Sequence, residues 1–114
     1  MPYISTKTTV AISKENEVAI TAKLGKAIEL IPGKNESWLM LSFEGESNMY
    51  FRGKDDMPLA YVEVKIFGKS TKEAYEALTG AVTKILHEEL GIPREGIYVR
   101  YEEVYHWGYN GTNF

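Results

Sequence analysis

Apolar positions along this chain change period several times, and each change marks an element. Residues 2–10, PYISTKTTV, read as a strand. A helix follows over about 14–31, where Ile20, Leu24, Ala27 and Ile31 recur at helical spacing as one apolar stripe. Ser13 is placed to cap it, and Pro32-Gly33 stops it. Residues 38–44, WLMLSFE, then read as a second strand, and residues 58–67, PLAYVEVKIF, as a third. A second helix is predicted to begin at Ser70, with Glu73 completing a capping box. Its core stripe is Ala74, Leu78, Val82, Ile85 and Leu86, and Gly91 ends it with Pro93 just beyond. Residues 97–104, IYVRYEEV, make the fourth strand.

The pattern is one unit written twice, in a single domain spanning 1–114. Met1-Pro2 recurs as Met57-Pro58, 56 residues on, while Gly33 and Leu39-Met40-Leu41 fall opposite Gly91 and Ile97-Tyr98-Val99 at a spacing of 58. The two spacings are read as a two-residue insertion in one loop, with repeats at about 2–45 and 58–104. Each half is β-α-β, with a helix long enough to cross over between parallel strands. The predicted fold class is therefore α/β: one four-stranded sheet with both helices on one face. Its other face is expected to carry hydrophobic or aromatic side chains, among Tyr61, Tyr98, Val99 and their neighbours, and to need a covering partner. The ending 105–114, YHWGYNGTNF, reads as an aromatic tail outside both repeats, expected to form a small hairpin docked on another subunit.

Composition narrows the function classes. A net charge of −3, with no basic run, argues against nucleic-acid binding through phosphates. The absence of cysteine removes disulfides, thiolate metal sites and thiol nucleophiles together. No apolar run approaches the length of a membrane span, and the N-terminus lacks the pattern of a signal peptide. A cytoplasmic protein is the expectation, with export by a signal-independent route left open. The two histidines, His87 and His106, stand in no metal-ligand spacing, and no glycine-rich phosphate loop occurs. Neither metal nor cofactor is expected.

Three residues stand out as candidate chemistry. Pro2 is ordinarily just a rigid strand start. Removal of Met1 would turn it into a secondary amine, and an α-amino group titrates at ~7.7–8.0 unless burial or a neighbouring cation lowers it. Such an amine is neutral at physiological pH and able to act as a general base. With Met1 in place the same nitrogen is a tertiary amide and is no base. Lys34, just after Pro32-Gly33, is either a solvated lysine or a cation at a site. Arg100 shares one strand face with Tyr98, and that face is either exposed or turned to a site.

These features together resemble the macrophage migration inhibitory factor family of tautomerases. The residues that carry the resemblance are Met1-Pro2, the Gly33-Lys34 turn, Ile97-Tyr98-Val99 and the ending Trp107-Gly108-Tyr109-Asn110-Gly111-Thr112-Asn113-Phe114, on a doubled β-α-β plan covering essentially the whole chain. The resemblance implies a homotrimer and cofactor-free keto–enol tautomerisation of phenylpyruvate-like aromatic α-keto acids, with dopachrome derivatives also turned over. It implies that Pro2 is the base and then the acid. Lys34 matches the lysine that meets the substrate carboxylate, and Phe67 an isoleucine whose backbone amide contacts substrate. Tyr98 matches a tyrosine supplied by the neighbouring subunit. Tyr3, Trp38, Trp107, Tyr109 and Phe114 match pocket-wall positions.

Three departures bear on this. Arg100 stands where the vertebrate cytokine has asparagine, Phe67 is bulkier than isoleucine, and the cytokine's CxxC cysteines are missing. Lys34 and Arg100 are expected to converge near Pro2. The alternative function is a cytokine-like or other binding protein on the same scaffold with vestigial activity, for which the sequence names no receptor. A purely structural oligomer is the third reading.

Overall fold

A computed structural model describes residues 1–114. In chain order the elements are β1 (Pro2–Thr8), α1 (Lys14–Ala27), β2 (Met40–Glu44), β3 (Ala60–Phe67), α2 (Lys72–Leu90), β4 (Ile97–Val104) and a terminal hairpin of β5 (Gly108–Tyr109) and β6 (Thr112–Asn113). Single 3-10 turns at Ile28–Leu30, Glu36–Trp38 and Arg94–Gly96 join them. The main sheet runs β2-β1-β3-β4. β1 is parallel to β2 and β3 to β4, as the two crossovers require, and the halves meet antiparallel along β1 and β3.

Both helices lie on one face. Alternate residues of the central strands, Ile4, Val62, Val64 and Ile66, point under them and are fully buried with Ile20, Leu24, Ile28, Leu78, Val82 and Leu86. The stripe read on α2 is the buried set of that helix. α1 stops at Ala27, four residues short of its expected end, and tightens into the 3-10 turn, which still buries Ile28. The second strand begins at Met40 rather than Trp38, because Glu36–Trp38 is itself a 3-10 turn capped by the Asn35 side chain.

The cap of α2 is Thr71, not Ser70. Thr71 Oγ1 accepts from the Ala74 amide, while the Ser70 amide is spent on the Tyr75 hydroxyl. Ser13 caps α1 as read, in a reciprocal capping box with Asn16. Gly91 closes α2 in the left-handed region at φ 69°.

The internal repeat is tighter than the letters suggest. Tyr3 pairs with Met40 and Tyr61 with Tyr98, so the spacing between equivalent positions is 58 in the sheet itself. The caps Ser13 and Thr71, the turns Glu36–Trp38 and Arg94–Gly96, and Gly33 and Gly91 obey the same spacing. The structural counterpart of Pro2 is therefore Ala60, and the match of Met1-Pro2 to Met57-Pro58 is two residues out of register. No inserted loop is needed to explain the spacing.

Nor is the tail outside the repeat. Tyr109 pairs with Thr112 around Asn110-Gly111, and Phe51 bridges Lys54 around Arg52-Gly53, again 58 apart. All four turn residues have positive φ, between 53° and 84°, the geometry that tight two-residue hairpins demand.

The open sheet face differs from expectation. Val99 points to the helices and packs on the core. The open face carries Tyr3, Ser5, Lys7, Glu44, Tyr61, Glu63, Lys65, Tyr98, Arg100 and Glu102. Arg100 bridges Glu63 and Glu102 at 3.1 Å each, and Lys7 lies 3.8 Å from Glu44. This is a polar surface with aromatic patches, which water can solvate, so apolarity gives no reason for a partner to cover it.

Candidate active site

The start of β1 lies in an open cleft of about 780 Å³, lined by Met1, Pro2, Tyr3, Trp38, Met40, Trp107 and Tyr109 among others. Each wall has a local cause. Tyr3 and Met40 are register partners, so both project from the open face at the same level. The Tyr3 hydroxyl is 2.7 Å from Ser42 Oγ, which fixes the ring's direction. The 3-10 turn presents Trp38, and the terminal hairpin lays Tyr109 edge-on against it at 5.2 Å and 85°. The tail thus packs against its own chain. Phe114 rests beside Phe67 at 5.8 Å, and its amide donates to the Trp107 carbonyl at 3.0 Å, closing the hairpin.

Phe67, at the last residue of β3, organises the polar end of the cleft. Its amide donates to the Met1 carbonyl at 3.0 Å. Its own carbonyl accepts from Lys34 Nζ at 3.1 Å. The Lys34 ammonium is thereby held close to the chain's amino group. That amine is pushed down to about 6, chiefly by partial burial and next by the charge and hydrogen bond of Lys34. A protonated amine would face a second cation in a partly buried place, so at neutral pH the neutral form is favoured. Pro2 is buried one bond further in.

Arg100 and Tyr98 are elsewhere on the chain. Pro2 is level with Ile66, whereas Tyr98 is level with Tyr61 and, through it, with Lys7, five residues along β1. At ~3.3 Å per residue that is roughly 17 Å along the strand, with two strand spacings to add across the sheet. Tyr98 instead stands edge-on to Phe51 at 5.7 Å, in a smaller recess with Ala60, Tyr61 and Gly96. Arg100 sits midway along the edge strand β4, its guanidinium engaged by two carboxylates. Within one chain, then, Lys34 converges on the start of β1 and Arg100 does not.

His87 is turned away, its Nδ1 2.8 Å from the Ile92 carbonyl. No group of three His, Cys, Asp or Glu side chains is placed to hold a metal ion, and no helix is long and apolar enough to cross a membrane. Met40, like Ser37, Leu39, Leu41 and Gly108, is a cleft residue that sequence reading passed over. Its signal was present, because it alternates outward from Leu41 on the strand beside Tyr3.

The family model described as macrophage migration inhibitory factor matches residues 1–114. No match is found among curated proteins. Among solved structures, Leishmania major MIF2 is 32% identical, with 100% of this chain and 97% of that one covered and a TM-score of 0.93. A homologue from Prochlorococcus marinus is 28% identical over 98% of both chains, with a TM-score of 0.83. The Toxoplasma gondii protein shares the fold at 22% identity, covering 98% of this chain and 99% of its own, with a TM-score of 0.89. A family match along the whole length, together with a 32% identical structure that superposes throughout, means that this chain belongs to the macrophage migration inhibitory factor family, in the tautomerase superfamily.

Proposed function

We propose that the chain, once Met1 has been removed, is a cofactor-free keto–enol tautomerase of phenylpyruvate-like aromatic α-keto acids, with the Pro2 amine as base and then acid. One observation carries the reading. Met1 occupies the place a substrate would take, its carbonyl oxygen on the Phe67 amide and its end beside Lys34, within an aromatic cleft. Removing Met1 frees that amide, leaves Lys34 in place and exposes the Pro2 nitrogen at the same point.

The chemistry follows from the parts. The Phe67 amide and the Lys34 ammonium bind the carboxylate and carbonyl oxygens of an α-keto acid, and the developing enolate is stabilised by the same donors. Trp38, Tyr3, Trp107 and Tyr109 hold the aromatic ring. Pro2 nitrogen takes the proton from the carbon next to the carbonyl and returns it to the other end of the enol system. The related fold Pt0534 was solved after inactivation by 2-oxo-3-pentynoate, itself an α-keto acid. A homotrimer belongs to this reading, because Tyr98 reaches a Pro2 site only from a second copy.

The test compares the same protein with and without Met1, each form verified by mass spectrometry, on enol and keto phenylpyruvate. Turnover is expected from the Met-free form alone. Equal rates would remove Pro2 from the reaction. A folded, Met-free protein with no turnover would favour the binding-protein reading.

A further inference from the structure

The Met1–Pro2 bond is held on both sides by the sheet. Hydrolysis by an aminopeptidase breaks the Met1 carbonyl–Pro2 nitrogen bond. Water supplies hydroxide to the carbonyl carbon and a proton to the nitrogen, and free methionine leaves. A metal-dependent aminopeptidase must take hold of the terminal amine and polarise the adjacent carbonyl with its metal. In the folded chain both handles are encumbered. Lys34, held on the Phe67 carbonyl at 3.1 Å, sets a cation near the amine, and the Phe67 amide holds the Met1 carbonyl oxygen at 3.0 Å.

The residue on the other side of the bond is equally fixed. Pro2 is buried and level with Ile66 of β3. Tyr3, next along, is paired on both sides, with Met40 of β2 and Lys65 of β3. β1 is an inner strand of the sheet, so its start cannot peel away as an edge strand does.

We propose that folding protects the Met1–Pro2 bond, so that Met1 is removed from the emerging chain before β1 enters the sheet, and a chain that folds first stays capped. The active fraction is then set during synthesis by a race between aminopeptidase and folding, and is not recovered afterwards. This concerns access to a peptide bond and holds whether or not the processed protein is a tautomerase.

The experiment uses the folded chain with Met1 retained, prepared in cells whose methionine aminopeptidase is inhibited. It is incubated with purified methionine aminopeptidase and followed by intact mass. A synthetic peptide of residues 1–10 is the unfolded reference. Because local opening must break these contacts before each cleavage, the folded chain should lose Met1 on the order of 30-fold or more slowly than the peptide. A second folded variant carries Gly-Ser inserted between Met1 and Pro2, which moves the scissile bond beyond the sheet. It should be processed at close to the peptide's rate. Cleavage of the unmodified folded chain within a few-fold of the peptide overturns the proposal. An insertion variant as resistant as its parent overturns it too, since protection would then not come from the pairing of this bond. The readout is mass alone, so its failure is separable from any failure of the catalytic reading.

Discussion

Replacing Lys34 with alanine tests the electrostatic logic of the cleft directly. In the chain that carries Met1, the terminal amine stands at about 6 against an ordinary 8.0. At pH 7 that makes about ten neutral amines for each charged one, where an unperturbed terminus would show about the reverse. Partial burial is the largest single cause, and the charge and hydrogen bond of Lys34 add to it. Lys34→Ala should therefore raise the pKa without restoring it to 8.0, and the neutral fraction at pH 7 should fall between those limits. The assay is pulse acylation with acetic anhydride over a pH series, with the label on the N-terminal peptide quantified by mass spectrometry. Reactivity follows the neutral amine, so its midpoint reads the pKa. A midpoint that stays put, or moves down, would mean that the ammonium does not act on this amine. In the Met-free chain the same substitution should raise KM for phenylpyruvate more than it lowers kcat, because a carboxylate contact serves substrate and transition state alike.

Four further outcomes follow. Thr71→Ala should cost about 1 kcal/mol in urea denaturation while Ser70→Ala stays within ~0.5 kcal/mol, because only Thr71 accepts a bond from the first turn of α2. Gly96→Ala should cost at least about 1–3 kcal/mol by the same measurement, since a Cβ there would lie 2.6 Å from the Pro58 carbonyl oxygen, a backbone atom that cannot swing aside. Arg100→Gln should change KM less than Lys34→Ala does, because Glu63 and Glu102 already hold the guanidinium; a larger effect would place Arg100 on the substrate. The Met1-bearing chain should gain stability as pH rises from 6 to 8, since over that window the unfolded terminus binds a proton that the folded one does not, and the urea midpoint should climb less steeply in Lys34→Ala.

How much of this could be read beforehand depended on whether a signal was periodic. The helix stripes, the four strands and the parallel crossovers follow from spacing, and α2 buries the same five residues that the 3.6-residue period selects. The errors fell where a competing bond decides. Ser70 and Thr71 are both good capping residues, but it is Thr71 Oγ1 that accepts from the Ala74 amide, while the Ser70 amide donates to the Tyr75 hydroxyl instead of to Glu73. The spacing of 58 already pointed to Thr71 opposite Ser13. The chance recurrence of Met-Pro drew the register two residues away from it. Val99 was misassigned for a related reason. Alternation around Tyr98 sends it to the helix side, and β-branched residues suit either face. At the site, Pro2 and Lys34 were legible because they bracket the first repeat's strand start and helix end. The hub between them, Phe67, was known only through resemblance, since its part is played by backbone atoms that no side-chain pattern marks.

The duplication also explains why two halves with one backbone plan carry different chemistry. Position 38 and position 96 are equivalent, yet one is an exposed tryptophan on the cleft and the other a buried glycine. Above Gly96 runs the segment ending at Pro58 and Leu59, which leads into β3 and leaves no room for a side chain. At Trp38 no such segment passes, and its ring lines the cleft with Met1, Trp107 and Tyr109. The same contrast applies one step along each strand. Ala60 enters β3 as an ordinary amide, tied at its neighbour Leu59 by Thr8 and Thr9, whereas Pro2 enters β1 one residue from a free amine. The second half cannot repeat the terminal amine that we propose as the acid–base group. Where the first has Met40 beside the amine, it has Tyr98, braced by Phe51 and turned outward. One repeat supplies a reactive chain end and the other an aromatic wall at the opposite end of the same sheet. A single chain cannot bring the two together, so a site that uses both has to be built from more than one copy.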